Sequence, residues 1–194
     1  MPRPSLRDNL LDAGLATMFR AGYAGATVRD IADAAGAPHG SFTNHFRSKE
    51  AFAIEVLDRY FEHVKELVRE ALTARRITPR ARLRRYLDLI SGRLAADGWT
   101  RGCLIGDFSL ETTQQSEALR RRLAEIFLEW SGMFAACIAE GQKAGEIPKR
   151  FSAEELAEFL LASWEGAILR MKVERSGAPL ERFKKIAFST LFKE

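Results

Sequence analysis

Residues 27–46, TVRDIADAAGAPHGSFTNHF, decide how this chain folds. Thr27 followed three residues later by Asp30 is a helix start signal, and Val28, Ile31 and Ala32 give the short helix behind it one apolar face. Gly36 and then Pro38 stop that helix near Gly36. A second segment of about two turns carries Phe42 and Phe46 on one side. Two short helices joined by a three- or four-residue turn containing glycine make a helix-turn-helix, which can project its second helix into a major groove. Spacing turns Val28, Ile31, Ala32, Phe42 and Phe46 inward and leaves His39, Gly40, Ser41, Thr43, Asn44 and His45 facing out. That outward set is hydrogen-bonding side chains plus one small residue that lets a backbone come close. A helical hairpin inside a larger bundle is the bland alternative for the same spacing.

The remaining sequence reads as helices on both sides of this segment. Ser5 with Asp8 opens a helix whose row Leu11, Gly14, Leu15 and Met18 stops at Gly22. Ser48 opens a linking helix of about 48–73 with Ala53, Val56, Tyr60, Val64, Leu67 and Ala71 in register. Thr78 and Pro79 supply a cap and a first-turn proline for a helix to about Ala96, and Asp97, Gly98 and Gly102 mark a loop. A shorter helix over Leu104–Thr112 and a long one over 117–144 follow, the latter ended by Gly145 and Pro148. Ser152 with Glu155 caps the next, and the turn at 176–179 leads to a last helix holding Leu180, Phe183, Ala187 and Leu191. With no period-two strand and no internal repeat the class is all-α, an N-terminal three-helix helix-turn-helix domain plus a C-terminal bundle of five or six helices. Residues 1–49 form the first part and 50–194 the second.

Composition narrows the functions open to such a chain. Its 194 residues, 46% hydrophobic, 29% charged and 10% aromatic, are enough for a buried core and too apolar for disorder. Cys103 and Cys137 alone exclude a disulfide scaffold and Cys-pair zinc patterns, and His39, His45 and His63 never fall at ligand spacing. No metal and no cofactor is expected. The first fifteen residues carry Arg3, Arg7, Asp8 and Asp12 without a signal-peptide core, and the longest weakly polar or apolar run, Trp130–Ala139, is about half of a bilayer span. The cytoplasm is therefore the default compartment and no membrane is involved. A net charge of +4 permits a polyanionic partner without demanding one. Paired carboxylates, a Ser-His-Asp order and a phosphate-cradling glycine loop are all missing, so no enzyme is expected. A thiol-dependent enzyme and a helical protein-interaction adaptor are the rival classes.

The first quarter of the chain resembles the TetR family of transcriptional regulators. Leu10, Leu11, Ala13, Phe19, Gly22, Tyr23, Thr27, Val28, Asp30, Ile31, Ala32, Ala35, Gly36, Gly40, Ser41, Phe42, His45, Phe46, Ser48, Lys49 and Glu50 carry the likeness. The resemblance implies a one-component regulator, a repressor binding a palindromic operator as a homodimer and released by a small-molecule effector. It places Thr27, Ser41, His45 and Lys49 where members contact phosphate, and His39, Gly40 and Asn44 on the base-reading face. Many members have Tyr where this chain has Thr43; a hydroxyl survives there but the ring's reach does not.

The second part offers a pocket and a switch. Cys103, in RGCLIGDFSLE, stands at a helix start two residues after Arg101, a setting that favours the thiolate. The segment resembles a TetR branch in which Gly-Cys-Leu is associated with sensing reactive or unsaturated molecules; the alternative is a small buried hydrophobe. Cys103, Phe108, Phe127, Trp130, Met133, Phe134, Trp164, Ile168 and Met171 either line an effector cavity or fill the core, and Glu165 is its polar anchor or a solvent-edge residue. Leu156, Phe159, Leu160, Ser163, Gly166, Ala167, Phe183 and Ala187 form rows too wide for one partner, as a dimer interface or a monomer core requires. Arg75, Arg76, Arg80, Arg82, Arg84 and Arg85 read as a solvated face with ion pairs.

Overall fold

A computed structural model describes residues 5–192; Met1–Pro4, with Arg3 of the charged N-terminal stretch, and Lys193–Glu194 lie outside the described residues. The described residues are helical with no strand: α1 (Leu6–Gly25), α2 (Val28–Ala34), α3 (Ser41–His45), α4 (Lys49–Leu72), α5 (Pro79–Ala96), α6 (Leu104–Thr112), α7 (Glu117–Lys143), α8 (Ala153–Glu174) and α9 (Ala178–Thr190). Their starts follow local capping chemistry. Ser5 Oγ accepts the Asp8 N–H at 3.2 Å, Ser48 Oγ the Ala51 N–H at 3.0 Å and Thr78 Oγ1 the Ala81 N–H at 3.3 Å. Ser152 and Glu155 close a reciprocal capping box at 3.1 and 2.8 Å. Each such cap stabilises its helix by about 1 kcal/mol.

Contacts divide the chain into two compact units, one holding residues up to His63 with Leu104–Glu125 and the other Val64–Cys103 with Ile126 onward. This division does not follow position 49/50: α6 packs on α1, and α4 and α7 each pass from one unit into the other. Phe108 of α6, grouped by sequence with the effector residues, is fully buried in the first unit, its ring edge-on to Tyr23 at 5.8 Å.

In the first unit, Phe42, Phe46 and Phe52 interlock with ring centroids 4.7–5.3 Å apart. Gly14 of α1 faces Phe52 so closely that a Cβ would come within 2.2 Å of its ring. The turn between α2 and α3 needs Gly36 at φ +62°, and Ala37 returns its N–H to the Ala32 carbonyl at 2.9 Å.

In the second unit α8 packs on α9 and α9 on α5, with Trp164 against Phe183 at 5.5 Å. The arginine-rich stretch is used internally here. Arg82 donates to the carbonyl of Leu72, the last residue of α4, at 2.8 Å and pairs with Glu140. Arg80 donates to the Phe188 and Phe192 carbonyls at the end of α9, so both side chains satisfy helix C-termini where a cation is favoured. Arg84 and the buried Lys184 share Asp88 at 3.2 and 2.7 Å, tying α5 to α9.

Replacing Gly14 by alanine gains about 1 kcal/mol of helix propensity but overpacks a fully buried ring at a cost of about 1–3 kcal/mol. Gly14→Ala is expected to lower the urea midpoint; a midpoint equal to the parent's would show that Phe52 can yield.

Candidate functional site

The reading head assembles from α2, α3 and the start of α4. Thr27 caps α2 through a box with Asp30: Thr27 Oγ1 accepts the Asp30 N–H and Asp30 Oδ2 accepts the Thr27 N–H, both at 3.1 Å. The Thr27 hydroxyl donates to the same carboxylate at 2.6 Å, and this bond holds the Asp30 carboxyl below its usual range. Two other hydroxyls of the expected DNA face also donate inward, Ser41 to the Pro38 carbonyl and Thr43 to the Gly40 carbonyl at 2.9 Å. All three can accept from a donor, but each must give up an internal bond before it donates to a phosphate oxygen. His39 Nε2 lies 2.6 Å from Asp33 Oδ1. Asn44 and His45 are exposed on α3, and the Asn44 amide forms no hydrogen bond among the described residues.

Gly40 is exposed with φ −69°, and a Cβ there would meet nothing within 4 Å. The fold therefore gives no steric reason for glycine at this position. Lys49, at the first turn of α4, is half-buried: Nζ donates to the Ala24 carbonyl at 3.3 Å and stands 4.7 Å over the Tyr23 ring. Sequence reading passed over Arg47, which follows α3 on the exposed side and forms no ion pair among the described residues. Its position beside the outward face of α3 was the available signal.

The second unit holds the other candidates. Cys103 is buried at 6% exposure, Trp130, Phe134, Trp164, Ile168 and Met171 are buried, and Met133 is half-buried. Phe127 and Glu165 line a cavity of about 450 Å³ with Leu128, Leu161 and Ala162 as further apolar walls and Ser131 and Glu158 as polar ones. Two carboxylates and no basic side chain in that lining leave an anionic ligand without a counter-charge. Tyr86, not singled out from sequence, is fully buried with its ring edge-on to Phe134 at 5.0 Å. Burial pushes its phenol well up, the charges of Cys103 and then Glu165 add to that, and Trp130 pulls against them. Cys103, Glu165 and Trp130 thus all act on the Tyr86 phenol, Cys103, Tyr86 and Trp130 being buried and Glu165 half-buried. Tyr86 escaped the sequence reading because it sits among arginines, outside any apolar row that was traced. Cys137 is core, its thiol pushed up to about 11 by burial.

Of the residues read as a dimer interface, Leu156, Leu160, Ala167 and Ala187 are buried within the chain, Ser163 and Phe183 are half-buried, and Phe159 and Gly166 are exposed. The outer face of α8 carries Phe159, Ala162, Gly166, Leu169 and Val173 at helical spacing, Val173 being 77% exposed.

Residues 10–56 match the family "Bacterial regulatory proteins, tetR family", and residues 79–187 match "Tetracyclin repressor-like, C-terminal domain". The HTH-type transcriptional repressor DhaR of Mycobacterium sp. (strain GP1) is 42% identical over 98% of this chain and 94% of its own length. This chain belongs to the TetR family. Among solved structures, the regulatory protein TetR from Rhodobacter sphaeroides superposes with a TM-score of 0.90 at 31% identity, covering 96% of this chain and all of that one. The reduced form of NemR from E. coli gives 0.88 at 25% identity over 97% and 99%. The chain is a TetR-family DNA-binding transcriptional regulator, and its partner is operator DNA. Among the described residues no helix is long and apolar enough to cross a membrane.

For this TetR-family regulator, Gly40→Ala is expected to leave stability within about 0.5 kcal/mol of the parent, since the methyl enters open space. Operator affinity is expected to fall about tenfold if the surface that carries Gly40 is the one that approaches bases. Unchanged affinity by fluorescence anisotropy would remove Gly40 from the interface.

Proposed function

We propose that this TetR-family protein is a homodimeric repressor that binds a palindromic operator and releases it when a small electrophilic or oxidising molecule reaches Cys103. Dimerisation follows from the reading head itself, since two half-sites require two heads held at fixed spacing. The outer face of α8 is the surface that suits it: Phe159, Leu169 and Val173 are large and exposed, and Ala162 and Gly166 between them let a second helix come close. The similarity to a protein named as a repressor supports the sign of regulation.

The observation that carries the effector reading is that Cys103 and Trp130, both buried, and the half-buried Glu165 all act on the buried Tyr86 phenol. A thiol surrounded by a few polar atoms in an apolar interior has the composition of a specific small-molecule site. NemR, a relative solved in a form named for its redox state, supports a thiol whose state matters. Effector and operator must prefer different conformations, and each then weakens the other's binding by the same factor.

Fluorescence anisotropy on duplex DNA from the region flanking the coding sequence tests this, with and without iodoacetamide. Alkylation forms an Sγ–carbon bond, expels iodide and passes the thiol proton to solvent. Release is expected for the parent and not for Cys103→Ser, while Cys137, held protonated by burial, stays unreacted. Operator binding indifferent to the reagent in both proteins would assign Cys103 to the core. Separately, Phe159→Lys is expected to give a monomer in sedimentation and at least about a tenfold loss of operator affinity; a dimer of parent stability would move the interface off this face.

A further inference from the structure

The corner between α1 and α2 is held from two sides. At Gly22 the helix breaks, with φ 71° and ψ 178°, and residues 23–26 lead from there to the Thr27 cap of α2. The carboxylate of Glu111, on α6, fills the space above Gly22: a Cβ at that position would lie 2.4 Å from Glu111 Oε1 and 2.8 Å from Oε2. Glu111 Oε2 accepts the Ala24 N–H at 3.2 Å. On the other side of the same residue, the Ala24 carbonyl accepts from Lys49 Nζ at 3.3 Å. Tyr23 lies between, with the Lys49 ammonium over its face and Phe108 of α6 at its edge. Burial lowers the Lys49 pKa, and the charge of Glu111 opposes that shift. All of these groups belong to one compact unit.

An ordinary surface glutamate has neither feature found here, a glycine notch shaped around its carboxylate and, as its partner, a backbone N–H in the short turn just past the break at Gly22. Ala24 lies between the break at Gly22 and the extended cap at Ala26, in the stretch that leads from α1 to α2. Left without Glu111, its N–H would turn to water and the corner would sample more conformations, each less suited to presenting α3. We propose that Glu111 is a positioning residue for operator recognition: by accepting the Ala24 N–H from α6 it fixes the α1–α2 corner that orients the reading head. It touches no DNA in this role and acts through Ala24.

The test uses the full chain, a fluorescent duplex that the parent selects from random sequence, and the variants Glu111→Ala and Glu111→Gln. Glu111→Ala is expected to bind at least about tenfold more weakly, with the parent's dependence on salt, because no phosphate contact is lost. Glu111→Gln keeps an acceptor oxygen and is expected to stay within about threefold of the parent. Amide hydrogen exchange at Ala24 is expected to be slow in the parent and in Glu111→Gln and fast in Glu111→Ala. Parent-like affinity in Glu111→Ala overturns the proposal. So does a salt slope reduced by one, which would make Glu111 act through a lost phosphate contact instead. A Gln variant as weak as the Ala variant, or an Ala24 amide unprotected in the parent, removes the hydrogen bond as the means. Should Glu111→Ala fail to fold, the Gln variant and the parent's Ala24 exchange decide.

Discussion

Phe42 and Phe46, seated on Phe52, give a five-residue helix a fixed direction. A helix of that length has no stability of its own in water, because its nucleation cost is never recovered by so few hydrogen bonds. Its orientation must come from its anchors, and both ends of α3 are tied by aromatic rings to α4. Phe52 in turn can lie there only because position 14 on α1 has no side chain. The exposed residues His39, Gly40, Asn44 and His45 inherit their placement from this contact, so the surface they form is as rigid as three packed rings and one glycine make it.

Charge enters the same surface sparingly. Residues 1–49 hold six Lys or Arg and four Asp, which is far from a basic stripe. Much of the remaining positive charge is committed elsewhere: Arg80 and Arg82 satisfy carbonyls at helix ends, and Arg59 is engaged with Asp8 and Asp12 at 3.3 and 2.8 Å. Affinity for operator DNA must then come from a few placed donors rather than from a diffuse field. The hydroxyls of Thr27, Ser41 and Thr43 are already engaged internally. A donor held by an internal bond is already ordered, and exchanging that bond for one to phosphate costs less conformational entropy than fixing a free side chain.

Local signals made the helices legible. Ser5 with Asp8, Thr27 with Asp30, Thr78 with Pro79 and Ser152 with Glu155 act within four residues of each other, so the sequence states their chemistry outright. Periodicity, by contrast, reports that a face is apolar and not what covers it. Phe108, which reads as pocket or core, packs on Tyr23; Leu156 and Leu160, which read as dimer seam or monomer core, lie inside the chain, while Leu169 and Val173 are exposed. Both outcomes turn on contacts between residues far apart in sequence. Tyr86 and Glu111 were missed for the same reason, since each matters through partners dozens of positions away.

Magnitude constrains how such a protein can switch. One backbone hydrogen bond contributes about 1 kcal/mol net, so losing the Glu111 bond to Ala24 in a single subunit changes affinity only about fivefold. In the homodimer proposed above the bond would be lost twice, about 2 kcal/mol or roughly thirtyfold, which lies within the usual range of allosteric coupling. α6 begins at Leu104, the residue after Cys103, and carries Glu111 two turns later. Under the release proposed above, Cys103 would be the residue directly preceding the helix that carries Glu111. A change too small to unfold anything suffices, because a hydrogen bond at 3.2 Å is lost within a displacement of about 1 Å.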